Sequence, residues 1–263
     1  MSATNERALD PQRVQQALVC MLFDPSYEAR IRGDAPLDGI AAPERELLRN
    51  LDPRALRTDP MRRPRAVQAL LEEYPVSAAL VGIPTVDAYF ASTNFREAVF
   101  NRGSMALAFA DYLGGRARGV GRIEAAMARV RRPRDVVASG IGCSPRVVPV
   151  IAPRGSLAWY QEGRARLGPD PLQVLAELPR PWRRRPPRGG AEFLLVEGAE
   201  DGSIAIGGAS EPLVRLLLAA VDPGPRSSLV DAACRLGAEP AEAEELLDDL
   251  LGDSLLVVFT ATS

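Results

Sequence analysis

The chain has 263 residues, 46% apolar and 25% charged, with a net charge of −2. That is the composition of a globular protein with room for two domains, and no overall field draws it to nucleic acid or anionic lipid. It contains no histidine, and all 32 basic residues are arginine, which excludes histidine-dependent triads, HExxH zinc sites, Schiff-base lysines, pyridoxal phosphate attachment and the Walker A loop.

The polar start, MSATNERALDPQ, reads as free of a signal peptide, and no apolar run approaches the length of a membrane helix. Cys20, Cys143 and Cys234 are odd in number and far apart, which suits reduced thiols in a cytoplasmic protein. Asp10-Pro11 is a helix start, and Val14, Ala17, Leu18, Met21 and Leu22 follow as one apolar stripe that ends at Asp24-Pro25. Asp52-Pro53 reads as a second start. A third helix is predicted over residues 65–74, with Val67, Leu70, Leu71 and Tyr74 inward, and Pro75 cannot continue it without a kink. Short apolar pieces at 78–81 and 86–90 lead to two longer predicted helices, 95–113 and 118–130.

The second half changes character. Residues 147–151 form a short apolar run between prolines, read as an edge strand. A helical region over 159–178 leads to residues 179–190, which hold four prolines and five arginines without a periodic apolar face and read as a linker. Strands are predicted at 193–197 and 203–206, joined by a hairpin loop at 198–202. Three short helices follow. The first is capped by Ser210, the second stops at Gly237, and the third opens at Pro240 and stops at Gly252; a strand at 254–259 closes the chain. The expected class is therefore α+β: an all-helical partner-binding domain over 1–135, a connecting segment over 136–190, and a small winged-helix-like domain over 191–263, built of short antiparallel strands plus three helices.

The surviving catalytic candidates are weak. Gly140-Ile141-Gly142 follows Val136-Val137 in the manner of a dinucleotide loop, but Pro145 stands where the third glycine belongs, so a plain turn is expected. Cys143 has no histidine to make it a thiolate. The pairs Glu72-Glu73, Glu244-Glu245 and Asp248-Asp249 read as solvated helix faces. No catalytic residue, metal site or cofactor is assigned to this chain.

A winged helix invites a DNA-binding reading, yet the third helix carries seven acidic residues between Glu239 and Asp253 and no basic one. Phosphate contacts need arginine or lysine at the contact face, so nucleic acid is not an expected partner. Seven arginines between Arg116 and Arg134 form either a solvated face or an electropositive strip for an acidic partner. Tyr74, Tyr89, Phe90 and Phe95 are candidates for a partner interface, with core packing the plainer alternative.

The run Ala69-Leu-Leu-Glu-Glu-Tyr-Pro-Val-Ser-Ala-Ala-Leu-Val-Gly82, with Asp87-Ala-Tyr-Phe90, Ala108-Phe-Ala-Asp-Tyr-Leu113 and Ile123-Glu-Ala-Ala-Met-Ala-Arg-Val-Arg131, resembles the partner proteins of multinuclear non-heme iron oxidative enzymes, such as the methanobactin biosynthesis partner. Gly202-Ser-Ile-Ala-Ile206, the helix at 213–220 and Ala243-Glu-Glu-Leu-Leu-Asp-Asp-Leu-Leu251 with its following strand resemble the winged-helix peptide-recognition module of the pyrroloquinoline quinone peptide chaperone. The resemblance implies a non-catalytic heterodimer subunit in ribosomal peptide biosynthesis. It would bind a precursor's leader peptide, with the iron in the partner enzyme. The leader would add beside Ser203, Ile204, Ala205 and Ile206, against Leu246, Leu247 and Leu250, although core packing is the plainer reading of those leucines. The competing readings are a winged-helix transcriptional regulator and a protein-interaction adaptor.

Overall fold

The computed structural model describes residues 9–37, 39–133, 138–183 and 189–260; Val136-Val137, Arg134 and residues 184–188 of the predicted linker lie outside them. In chain order the helices begin with α1 (Pro11–Phe23), α2 (Pro25–Arg32), α3 (Ala42–Arg49), α4 (Arg62–Glu73), α5 (Pro75–Val81), α6 (Ile83–Ala88), α7 (Thr93–Phe100), α8 (Met105–Leu113) and α9 (Arg118–Val130). There follow β1 (Gly140–Cys143), β2 (Val147–Pro153), α10 (Ser156–Leu167), α11 (Pro171–Glu177), β3 (Ala191–Gly198) and β4 (Ile204–Gly208). The last elements are α12 (Glu211–Ala219), α13 (Arg226–Arg235), α14 (Pro240–Gly252) and β5 (Leu256–Phe259). Among the described residues the class is a mostly helical α+β, with two small sheets. Among the described residues no helix is long and apolar enough to cross a membrane.

The contacts divide the chain into two compact units, residues 1–113 with 169–182, and residues 114–168 with 183–263. In the first unit Asp10 caps α1, its carboxylate accepting from the N–H groups of Gln12 and Arg13. Asp24 ends α1 and caps α2 by accepting from the N–H of Ser26. Each cap satisfies donors that a helix start leaves open, and the proline after each cap has no N–H to satisfy. Pro75 likewise opens α5 where α4 stops. At Asp52-Pro53 the expected helix shrinks to a single 3-10 turn at Ala55–Arg57. The predicted helix over 95–113 is two helices, broken at residues 101–104, where Arg102 takes φ 53°. Returning from the second half of the chain, α11 packs on α4 and α5.

The aromatic candidates for a partner interface are core. Tyr74, Tyr89 and Phe90 are fully buried and Phe95 is 4% exposed. Their rings meet at edges and faces: Tyr89 and Phe95 lie 5.5 Å apart, Tyr74 and Phe109 5.1 Å. Both tyrosine hydroxyls donate to backbone carbonyls, Tyr74 to Ala106 at 2.8 Å and Tyr89 to Met105 at 3.0 Å. The reason is that α4 is followed by two short helices, α5 and α6, each opened by a proline in its first two positions. Each break turns the chain, and the turns bring rings from separate helices onto one point that a linear reading leaves scattered.

The second unit moves both predicted domain boundaries. Helix α9, expected at the end of the helical domain, belongs here and packs on β2 and β3. It buries Val120, Ile123, Ala125, Ala126, Ala128 and Val130, a nearly all-round apolar surface that needs a sheet against it. Two glycines let it come close. A Cβ at Gly198 would meet Val130 Cγ1 at 2.3 Å, and one at Gly119 would meet Ser156 Oγ at 1.8 Å. The expected connector over 136–190 holds β1, β2, α10 and α11. Strand β2 joins the sheet, antiparallel to β3, and β3 is antiparallel to β4, in the order β2-β3-β4. The glutamate at the start of β3, Glu192, caps α10, its two oxygens accepting from Gly155 N at 2.9 Å and Leu157 N at 2.6 Å.

Both faces of the three-stranded sheet contribute to cores. Leu194, Val196, Val150 and Ala152 face α9, whereas Val147 and Leu195 enter a core with Val214, Leu217, Leu247 and Leu250 from α12 and α14. A second sheet pairs β1 with β5, and Ile141 bridges Gly224 on the other side of β1. The expected turn at Gly140-Ile141-Gly142 is therefore a strand, recruited by a β5 more than a hundred residues away in sequence.

Candidate functional site

The two outer strands of the three-stranded sheet are built in opposite ways. In an antiparallel pair, opposed residues alternate between those that exchange both backbone hydrogen bonds and those that exchange none. Gly198 N donates to Arg146 O at 2.9 Å and Arg154 N to Gly190 O at 3.2 Å, which fixes the parity of the β2–β3 ladder. Val148, Val150 and Ala152 bond inward to β3, leaving Val147, Pro149, Ile151 and Pro153 turned outward. Two of those four are prolines and have no N–H. The Val147 N–H donates to Ser144 O at 2.9 Å. The Ile151 carbonyl accepts from Arg122 Nη1 at 2.7 Å, and the Pro153 carbonyl from Ser156 Oγ at 2.5 Å. The β2 edge is closed to any further strand.

The β4 edge is open. Ala199 N donates to Ser203 O and Ala209 N to Phe193 O, each at 2.9 Å, so Ala205 and Gly207 exchange their hydrogen bonds with Glu197 and Leu195. The outward groups belong to Ile204, Ile206 and Gly208. Ile204 and Ile206 are half-buried and Gly208 is exposed. Strand β4 has β3 alone as its hydrogen-bonded neighbour among the described residues. Such a run of unpaired donors and acceptors is a template for another extended chain. The exposed ladder of β5 is shorter, because its outward positions are Leu256 and Val258 and Leu256 is 1% exposed.

The predicted peptide-binding residues divide accordingly. Ile204 and Ile206 present their backbone outward. The Ser203 backbone is taken up by the hairpin, its carbonyl by Ala199 N and its N–H by Asp201 Oδ1 at 2.8 Å. The Ala205 backbone is bonded to Glu197, although its side chain is exposed. Leu247 and Leu250 are 0% and 5% exposed and form part of the core beneath α12 and α13, so they line no groove. Leu246, one position on, is 37% exposed. Helix α14 packs on α13 and β5, and the three leucines are not brought to β4 as a set. What the sequence did not reveal was the role of Pro149, Pro153 and Arg122. The prolines alone were a usable signal, since their spacing of four puts them on one side of a ladder.

The acidic helix α14 is partly neutralised by α13. Arg226 Nε lies 2.6 Å from Glu244 and Nη1 2.8 Å from Asp248, and these hydrogen bonds raise the arginine's pKa further. Glu242, Glu245 and Asp249 remain solvent-facing. Burial pushes the Cys143 thiol up to about 12, and Cys20 to about 12 as well, so neither is a thiolate near neutral pH. Among the described residues no group of three or more cysteine or carboxylate side chains is placed to hold a metal ion. No known protein family matches the chain, and no characterised protein is significantly similar to it.

Proposed function

We propose that this chain is a non-catalytic, cytoplasmic partner protein in ribosomal peptide biosynthesis, which captures the leader of a precursor peptide and forms a heterodimer with an iron-dependent oxidative enzyme. The observation that carries the peptide-binding part is the asymmetry of the sheet, with β2 closed by Pro149, Pro153 and Arg122 and β4 left with three outward positions. A chain that seals one edge and not the other has a use for the second. In this reading α12 to α14 and β5 form a winged-helix element appended to the sheet, and the helices of the first unit serve the partner enzyme. The absence of histidine favours placing the iron in that partner, because imidazole is the usual nitrogen ligand of such centres.

The regulator reading is disfavoured by α14. Seven acidic residues lie between Glu239 and Asp253, and the nearest arginine, Arg226, is already held by two of them. A phosphate backbone would meet repulsion there.

The test uses the full chain with any short precursor peptide, fluorescein-labelled, and any iron-dependent oxidative enzyme that prove to be encoded beside its gene. The expected result is saturable peptide binding at physiological salt and a one-to-one complex on gel filtration. Absence of both would overturn the proposal, and a salt-resistant, sequence-specific gel shift with duplex DNA would restore the regulator.

A further inference from the structure

The face of the sheet beneath α12 has an unequal composition. Strand β3 contributes Phe193, Leu195 and Glu197 to it, and β4 contributes only Gly207 and Ala205 beside the last two. Glu197 is an exposed carboxylate in the central strand, a position where glutamate is disfavoured. Its lateral neighbours are the apolar Val147 on β2 and the methyl of Ala205 on β4. The other nearby carboxylates are engaged. Glu200 pairs with Arg146 at 3.2 Å, Glu211 with Arg215 at 2.8 Å, and Asp201 accepts from Ser203 N at 2.8 Å. Glu197 has neither an ion pair nor a side-chain hydrogen bond among the described residues.

We propose that the strand received by β4 carries a lysine or arginine opposite Ala205, whose side chain crosses the alanine methyl to reach the Glu197 carboxylate. This rests on strand addition at β4 and adds the chemistry that selects the strand. Adjacent strands are about 4.8 Å apart, so the incoming backbone lies roughly 10 Å from β3, within the combined reach of a long cationic side chain and a glutamate. Ala205 is the small residue that leaves this path open. The next position on the same face, Gly207, has nothing within 4 Å of where a Cβ would stand, so the face of β4 is open there as well. Cross-strand pairs of opposite charge stabilise a sheet and set its register. Here the cation would fix which residue of an otherwise sequence-tolerant ligand sits opposite Ala205.

The inference is tested by selecting a displayed library of random twelve-residue peptides on the full chain, on Glu197→Arg and on Ile206→Pro, each first shown to be folded by far-UV circular dichroism. Wild type is expected to enrich lysine or arginine at one fixed position, and Glu197→Arg to enrich aspartate or glutamate there. Ile206→Pro is expected to enrich nothing. A synthetic copy of the best wild-type peptide should bind Glu197→Gln about three- to fivefold more weakly and Glu197→Arg about tenfold more weakly. Peptides without a charged position, lost on Ile206→Pro, would overturn the charge inference and leave strand addition standing. Peptides captured equally by Ile206→Pro would overturn both.

Discussion

Ala205 stands opposite Glu197 as a hydrogen-bonded pair, which turns the N–H of the next residue, Ile206, away from the sheet. Adjacent substitutions should therefore fail in different ways. Ala205→Pro removes a ladder donor and is expected to destabilise the fold by about 2 kcal/mol. Ile206→Pro removes a donor that faces solvent, and proline is tolerated at such edge positions. It should melt within a few degrees of wild type while losing peptide binding. Thermal melts of the two proteins check this, and an Ile206→Pro protein that melts far below Ala205→Pro would show the parity to be reversed.

The closed edge gives a second prediction. Arg122 Nη1 holds the Ile151 carbonyl at 2.7 Å, and Pro149 denies a donor one step away. Arg122→Ala alone should leave the chain's association state unchanged, because Pro149 and Pro153 still interrupt the edge. Pro149→Val with Arg122→Ala frees the outward donors and acceptors of residues 149 and 151 together, an arrangement that promotes edge-to-edge pairing. Sedimentation velocity is expected to show self-association of the double variant at concentrations where either single variant remains as wild type.

Features set by neighbouring residues were legible in the sequence. Asp10-Pro11, Ser210 and Pro240 each mark a helix start within one residue, because capping needs only a side-chain acceptor and the next few N–H groups; Asp24-Pro25 marks the end of α1, whereas the start of α2 at the same place went unread. The apolar run over 147–151 between prolines likewise announced an edge strand, though not which of its backbone groups turn outward. What depends on distant residues was not legible. The period of α9 predicts its length but not that it packs on β2 and β3. The leucines of α14 share one helix, yet burial separates Leu246 from Leu247. Ladder parity decides whether Ser203 and Ala205 or Ile204 and Ile206 face outward, and it depends on hydrogen bonds that no single strand encodes.

That separation on α14 is the third prediction. Leu247 is fully buried among α12, α13 and β5 side chains, so Leu247→Ala is expected to cost about 3 kcal/mol through lost contacts and a residual cavity. Leu246→Ala removes a side chain already 37% exposed and should cost less than about 1 kcal/mol. Urea denaturation of both variants measures the difference. Equal costs would place Leu246 in the core as well.

The last prediction concerns alkaline pH, where a chain without lysine is unusually easy to read. Burial raises the Cys20 and Cys143 thiols from 9.0 to about 12, and Tyr27 rises from 10.0 to about 12, also chiefly by burial. On unfolding, these groups regain ordinary values, so between pH 9 and 12 the unfolded chain binds fewer protons than the native one. Stability therefore falls as pH rises through that window, each thiol contributing at most about 1.4 kcal/mol per pH unit. Below pH 9 the contribution of these groups is fully present and flat. Urea unfolding at pH 8, 9, 10 and 11 is expected to show little change over the first step and a steepening loss thereafter. Replacing Cys143 by alanine should lower stability at pH 8 but reduce the slope between pH 9 and 10, where the unfolded thiols titrate ahead of the tyrosines. A slope unchanged by that substitution would mean that the Cys143 thiol ionises as readily in the native chain as in the unfolded one.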